Sequence, residues 1–154
     1  MSEPIPDSFF CAFHTGETDW KAAVRRACCP LAEAGLVPEA FTESILSSVD
    51  RYGPHFIPAP GIALPCPAEA FVPAASAALS LLVTAPPVIF DPDDAACSAD
   101  LFLVVAAPDR ESGQRLTDAL ARHLREGDTA DRLREAAREG AWTRAADIVR
   151  DLLA

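Results

Sequence analysis

Few side chains in this sequence are suited to covalent or metal chemistry. They are three histidines (His14, His55, His123) and five cysteines (Cys11, Cys28, Cys29, Cys66, Cys97). The cysteines form an odd set without the paired CxxC spacing of a structural metal site, and Cys28 and Cys29 are adjacent. No metal and no cofactor is expected on that basis. A GxSxG elbow, a P-loop and a dinucleotide-type glycine loop are all missing. Carboxylates are plentiful, but those from Asp131 to Glu139 alternate with Arg132, Arg134 and Arg138 in the manner of a solvated helix face. What remains is Cys66, which closes the segment GIALPC on a chain stiffened by proline, with His55 upstream of it.

A thiol placed there has three roles open to it. It can accept a transferred group as a thiolate, provided that a helix N-terminus or a cation lowers its pKa from about 8.5. It can be a small buried apolar filler. It can sense oxidants, although nothing near it in sequence looks like a resolving partner. His55 is a candidate base beside Cys66, and a half-buried ring is its plainer role. His14, ending a strand, and His123, on a helix among arginines, read as surface residues.

The elements that must position Cys66 follow from periodicity. Phe9, Phe10 and Phe13 mark a first strand over residues 7–14. Trp20, Ala23, Val24, Ala27 and Leu31 recur at helical spacing after a cap at Thr18 or Asp19, and Gly35 supplies a left-handed stop. Pro30 predicts a kink or an early end in that helix. A second helix starts at Pro38, carries Phe41, Ile45, Leu46 and Val49 on one face, and stops at Gly53. Residues 54–73 hold six prolines, which excludes regular helix and predicts short extended pieces in stiff loops. Leu79, Leu81 and Val83 alternate as in a strand, and LFLVVAA over 101–107 reads as a central strand buried on both faces. An acidic loop, 91–94, lies between them. Three helices follow: one over 112–124, one capped by Asp128 or Thr129 and ended near Gly140, and a last one from Thr143. Trp142 is expected to pin that last helix, as Trp20 and Phe41 anchor the first two. The expected fold is a single α/β domain over 1–154, a mixed central sheet flanked by helices.

Bulk properties narrow the function classes. With 154 residues, half of them apolar and 23% charged, the chain can bury one core. A formal net charge of −10 excludes a basic nucleic-acid footprint and suits solubility or a partner with a basic face. No apolar run approaches the roughly 20 residues that span a bilayer. The acidic, proline-containing first residues lack the layout of a secretory signal. A cytoplasmic protein without direct membrane insertion is expected, and reduced cysteines agree with it.

The stretch YGPHFIPAPGIALPC, residues 52–66, resembles the site segment of sugar phosphotransferase enzyme IIA proteins of the mannitol, fructose and ascorbate type, which reads GIALPH or SIAVPH. The likeness extends to other parts of the chain. DWKAAVRRACCPLAEAGLVPEAF is similar to the opening helix pair of that family, LFLVVAAPD to its buried strand, and LARHLREGDTADRL to the helix and loop that follow. The resemblance covers roughly residues 16–138, with the ascorbate-type branch the nearest.

This resemblance implies a phosphoacceptor at the position of Cys66, where relatives carry histidine. A second family histidine would fall at Gly113, or at Ser112 if the register slips by one. The ordinary phosphohistidine transfer needs an imidazole nitrogen, so it cannot run at such a site. Two readings stay open: an enzyme IIA-like component of the phosphoenolpyruvate-dependent relay for carbohydrate uptake or its regulation, with Cys66 at the acceptor position, or a catalytically degenerate module that only binds. Phosphocysteine is not foreign to the system, since many IIB components use it. The implied partners are an HPr-like phosphocarrier and a IIB-like protein. They are expected at a mouth formed by residues 61–67 and 108–113, with Gly61, Pro65, Ser112 and Gly113 as contact residues.

Overall fold

Alternation of apolar residues divides the strands between two packed faces, and this division sets where every functional side chain points. The structure, a computed structural model, describes residues 8–54, 56–66, 71–94 and 97–153. Along the chain they form β1 (Ser8–Thr15), α1 (Trp20–Glu33), α2 (Glu39–Tyr52), β2 (Gly61–Ala63), β3 (Ala78–Ile89), β4 (Ser98–Ala106), α3 (Arg110–Leu124), α4 (Thr129–Arg138) and α5 (Trp142–Leu153). The sheet order is β1-β3-β4-β2. Strand β1 runs parallel to β3, with Ser8 opposite Ala78, and β2 runs parallel to β4, with Ile62 opposite Leu101. The two inner strands are antiparallel, with Leu81 opposite Leu103. The sheet is therefore mixed, and the expected α/β architecture holds.

On one face Leu79, Leu81, Val83, Leu101 and Leu103 pack against Leu116 and Leu120 of α3, Leu133 of α4 and Ile148 of α5. On the other, Ala78, Leu82, Phe102 and Val104 pack against Val24, Ala27 and Leu31 of α1 and Phe41 and Ile45 of α2. The run over 101–104 is fully buried, as a strand covered on both faces requires. Ser80, the polar intruder on the α1 side, donates its hydroxyl to the Ala27 carbonyl at 2.6 Å and so is not left unsatisfied.

Local chemistry sets the helix ends. Asp19 caps α1 by accepting from the Ala22 amide at 2.7 Å. Gly35 takes a φ of 74°, the left-handed stop that a side chain would resist. Pro30 does not end α1 early, which was one of the two outcomes expected of it. The helix continues to Glu33 because Ala27, Cys28 and Leu31 on its buried face hold it, and Ala34 still donates to the Pro30 carbonyl at 3.1 Å. Pro38 sits at the cap of α2 rather than at its first position, and Asp128 caps α4 without a side-chain hydrogen bond. Trp142 is 44% exposed, so it opens α5 without pinning it; Ala145, Ile148, Val149 and Leu153 do that. His14 and His123 are half-buried rather than at the open surface. Among the described residues no helix is long and apolar enough to cross a membrane.

Candidate functional site

Strand β4 delivers the chain to Ala107 at the edge of the sheet, and the next turn starts α3. Asp109 makes that turn. Its carboxylate accepts from the Ser112 amide at 2.8 Å and from the Ser112 hydroxyl at 2.9 Å. These bonds hold the Asp109 carboxyl below the usual range. They also settle where Ser112 points: toward its cap.

Gly113, one residue on, lines a cleft of about 110 Å³ together with Cys66, Phe41, Phe71, Arg110 and Thr117. A Cβ at Gly113 would stand 3.3 Å from the Ala107 Cβ and 3.8 Å from the Phe71 ring, so the bare backbone keeps this wall open. The Thr117 hydroxyl donates to the Gly113 carbonyl at 2.8 Å. Arg110 lays its guanidinium 5.8 Å from the centroid of Phe71.

The segment carrying Cys66 is held from both sides. Leu64 donates to the Phe56 carbonyl at 2.9 Å, Ala74 to Ala107 at 2.9 Å, and Ala75 to Leu36 at 2.8 Å. At the start of β2, Arg134 of α4 brings Nε within 2.9 Å of Asp100 and Nη2 within 3.4 Å of the Gly61 carbonyl. Gly61 has a φ of 84°, and a Cβ there would meet Arg134 at 3.1 Å. Glycine thus allows this guanidinium to clasp β2 to β4.

Cys66 is partly buried against the α1–α2 core. Burial pushes its thiol up from the ordinary value. A group-accepting thiolate requires the opposite shift, so the uncharged thiol is the resting form.

Of the residues singled out from sequence, Cys66 and Gly113 meet in one cleft, and Ser112 stands beside it, engaged with Asp109. Pro65 is buried and Gly61 is tied to Arg134, which makes both of them supports of the segment. His55 and Pro67 lie outside the described residues. From the sequence Phe41 reads as an ordinary core anchor, Phe71 and Thr117 are not singled out, and Arg110 is covered only as part of the mouth segment 108–113. The signal available for Arg110 was its place directly after a strand end and an Asp cap.

The size of the cleft limits its occupants. Pockets for small organic ligands run to about 300 Å³ and more. At about 110 Å³ this one admits a side-chain tip or a few waters.

The model of the family "Phosphoenolpyruvate-dependent sugar phosphotransferase system, EIIA 2" matches residues 12–143. An ascorbate-specific PTS system EIIA component of Mycoplasma pneumoniae is 44% identical over 52 residues, 34% of this chain and 33% of that protein. The aligned part thus spans about a third of that curated relative. A crystal structure of a candidate PTS IIA (PtxA) from Streptococcus mutans superposes with a TM-score of 0.74 at 26% identity, covering 92% of this chain and 88% of that one. The enzyme IIAMtl of Escherichia coli, solved in complex with phosphorylated enzyme IIBMtl, superposes with a TM-score of 0.62 at 21% identity over 94% of this chain and 92% of that one. With the mixed sheet and the 12–143 match in hand, this chain belongs to the phosphoenolpyruvate-dependent sugar phosphotransferase system EIIA 2 family.

Proposed function

We propose that this chain serves the sugar phosphotransferase system as a IIA-type component that docks protein partners at the Cys66 cleft, and that it acts there by binding rather than by carrying phosphate. The observation that carries this reading is the place of Cys66, a partly buried thiol that lines the cleft with Gly113 and ends the segment resembling the family's acceptor motif; burial pushes its pKa up. Three features support it. The cleft is too small for a sugar. The exposed turn of residues 108–110 beside it offers a surface to a protein. Among the described residues, neither His14 nor His123 lines it. The partners in view are an HPr-like carrier and a IIB-like protein, the latter by analogy with the IIAMtl–IIBMtl complex of the same fold. The cytoplasm is the compartment where such partners meet.

A second reading is favoured by the polar groups of the cleft. Arg110 and Gln114 line it with Cys66 and carry N–H groups of the kind that bind phosphoryl oxygens. In this reading the thiol sulfur attacks the phosphorus of a partner's phosphohistidine. The N–P bond breaks as the S–P bond forms, and the thiol proton passes to the departing imidazole nitrogen. The partner's imidazole then supplies the base that the resting thiol lacks.

Incubation with phosphoenolpyruvate, enzyme I and HPr, followed by intact-mass measurement, separates the readings. The binding reading expects no adduct, together with retention of HPr or a IIB protein on the immobilised chain. An adduct lost in Cys66→Ala establishes the relay. An adduct that survives Cys66→Ala removes Cys66 from the mechanism. Loss of partner retention in a folded Phe71→Ala variant is expected if the cleft is the docking place. Acceptance regained in Cys66→His would show that the docking surface survives intact.

A further inference from the structure

At the opposite end of the sheet a second, larger cleft of about 780 Å³ lies where β3 ends, β4 begins and the chain enters α1. Ser98 lines it and Ala107 lines the Cys66 cleft; the strand between them separates the two by about 30 Å at 3.3 Å per residue. We propose that this distal cleft docks a segment of a partner protein in which a lysine or arginine stands beside an aliphatic or aromatic anchor. Nothing in the proposal depends on phosphate chemistry at Cys66.

Two properties select that occupant. The floor is apolar: Pro86, Pro87 and Ile89 line it, and Ile89 is 57% exposed, the most open large hydrophobic among the described residues. An exposed branched side chain between exposed prolines is the kind of contact surface that a monomer gains nothing by leaving wet. The rim is acidic: Glu17, Asp19 and Asp91 line it, and among the described residues no lysine or arginine does. The nearest cation along the chain, Lys21, is committed elsewhere, 3.6 Å from Asp50 and 5.5 Å from the centroid of Trp20. Charge complementarity therefore asks for a cation, and the floor asks for an apolar side chain next to it.

The site is also preformed. Phe90, between Ile89 and Asp91, is wedged among Trp20 at 6.0 Å, Phe56 at 5.8 Å and Phe102 at 6.1 Å, so the floor is backed by packed rings. A partner then need not supply the ordering of this surface. A small amine would leave the exposed floor uncovered, whereas an extended segment covers it. A second copy of the chain, also at −10, would bring like charge to the rim.

The test pans a phage-displayed library of random dodecapeptides on the full chain and on an Ile89→Ser/Asp91→Asn variant, each checked for native circular dichroism. The expected result is enrichment, on the parent only, of peptides with Lys or Arg beside Leu, Ile or an aromatic residue. One enriched peptide is then titrated in a Trp142→Phe background, where Trp20 is the reporter. Ile89→Ser should weaken it about tenfold, the equivalent of losing the burial of one aliphatic side chain. Glu17→Gln should weaken it at low salt and less at high salt. Equal enrichment on parent and variant, enrichment of acidic or purely apolar peptides, no enrichment, or self-association of the parent that Ile89→Ser abolishes would each overturn the proposal.

Discussion

The clasp between Asp100 and Arg134 is where the structure makes its most quantitative demand. Arg134 keeps 17% exposure and Asp100 19%, and the guanidinium reaches Asp100, Asp131 and the Gly61 carbonyl together. Removing one partner of a fully buried ion pair costs about 3–5 kcal/mol, because the other charge is left without compensation. Here the residual exposure and the Asp131 carboxylate, 2.9 Å from Nη1 and itself 81% exposed, soften the loss. We place Asp100→Ala at about 2 kcal/mol, and Asp100→Asn, which keeps an acceptor oxygen, at about 1 kcal/mol. With a urea slope of about 2 kcal/mol per molar, the midpoint should fall by about 1 M and 0.5 M respectively. Unfolding followed by far-ultraviolet circular dichroism reads both. The double variant Asp100→Leu/Arg134→Met should lose less than the sum of its singles, since an apolar pair leaves no orphan charge. Because the clasp holds β2 to β4 upstream of Cys66, Asp100→Ala should also speed alkylation of that thiol. Additive singles, or an Asp100→Ala variant within about 0.5 kcal/mol of the parent, would refute the reasoning.

Other outcomes follow from the same geometry. Alkylation of Cys66 by iodoacetamide, mapped by mass spectrometry, should titrate with a midpoint above that of the same thiol in the urea-unfolded chain; a midpoint below it would contradict the uncharged resting thiol. Burial pushes Cys28 from 9.0 up to about 12, so between those values the unfolded chain binds fewer protons than the folded one and stability falls as pH rises. The slope from this thiol should be on the order of 1 kcal/mol per pH unit, measured by urea unfolding, and should flatten in Cys28→Ala. Gly113→Ala sets a helix-propensity gain of up to about 1 kcal/mol against the squeeze on Ala107 at 3.3 Å, so its stability should stay close to the parent's while access to Cys66 narrows and its alkylation slows.

The strands and helices were legible because their residues repeat with the periods of the two faces. The run over 101–107 announced a doubly covered strand, and Asp19 announced a helix start. Pro30 misled because the rule for proline weighs a lost backbone bond, while the buried stripe Ala27, Cys28 and Leu31 weighs more in this context. Trp142 misled because size suggests burial, yet the smaller Ala145, Ile148 and Val149 occupy the face that α5 presents to the core. In the site, Cys66 and Gly113 were legible from a motif and a spacing, and the cleft joins them. Phe71 and Thr117 were not, since they converge from separate elements and share no local pattern, and Arg110 was covered only by the segment 108–113. The distal cleft was invisible for the same reason: Glu17, Ile89 and Ser98 lie on three stretches that only the sheet register brings together.

Ionisation of Cys66 and anchoring of an anion would be separate requirements for phosphoryl transfer here; burial opposes the first, and the Asp109 cap competes with the second. A helix N-terminus is the usual source of amide donors for a phosphoryl group. In α3 the Asp109 carboxylate already occupies the Ser112 amide and places a negative charge beside the cleft. An incoming phosphoryl group must therefore displace that cap or rely on Arg110 and Gln114, while burial raises the pKa of the thiol it meets. Docking asks for none of this. A partner needs only a shaped cleft, an exposed turn at 108–110 and a rigid sheet behind them, and the Arg134 clasp and the two packed faces maintain that scaffold whatever residue stands at 66. The binding role that we propose therefore asks less of this geometry than a relay, in which Cys66 would have to draw its base and much of its charge compensation from the partner.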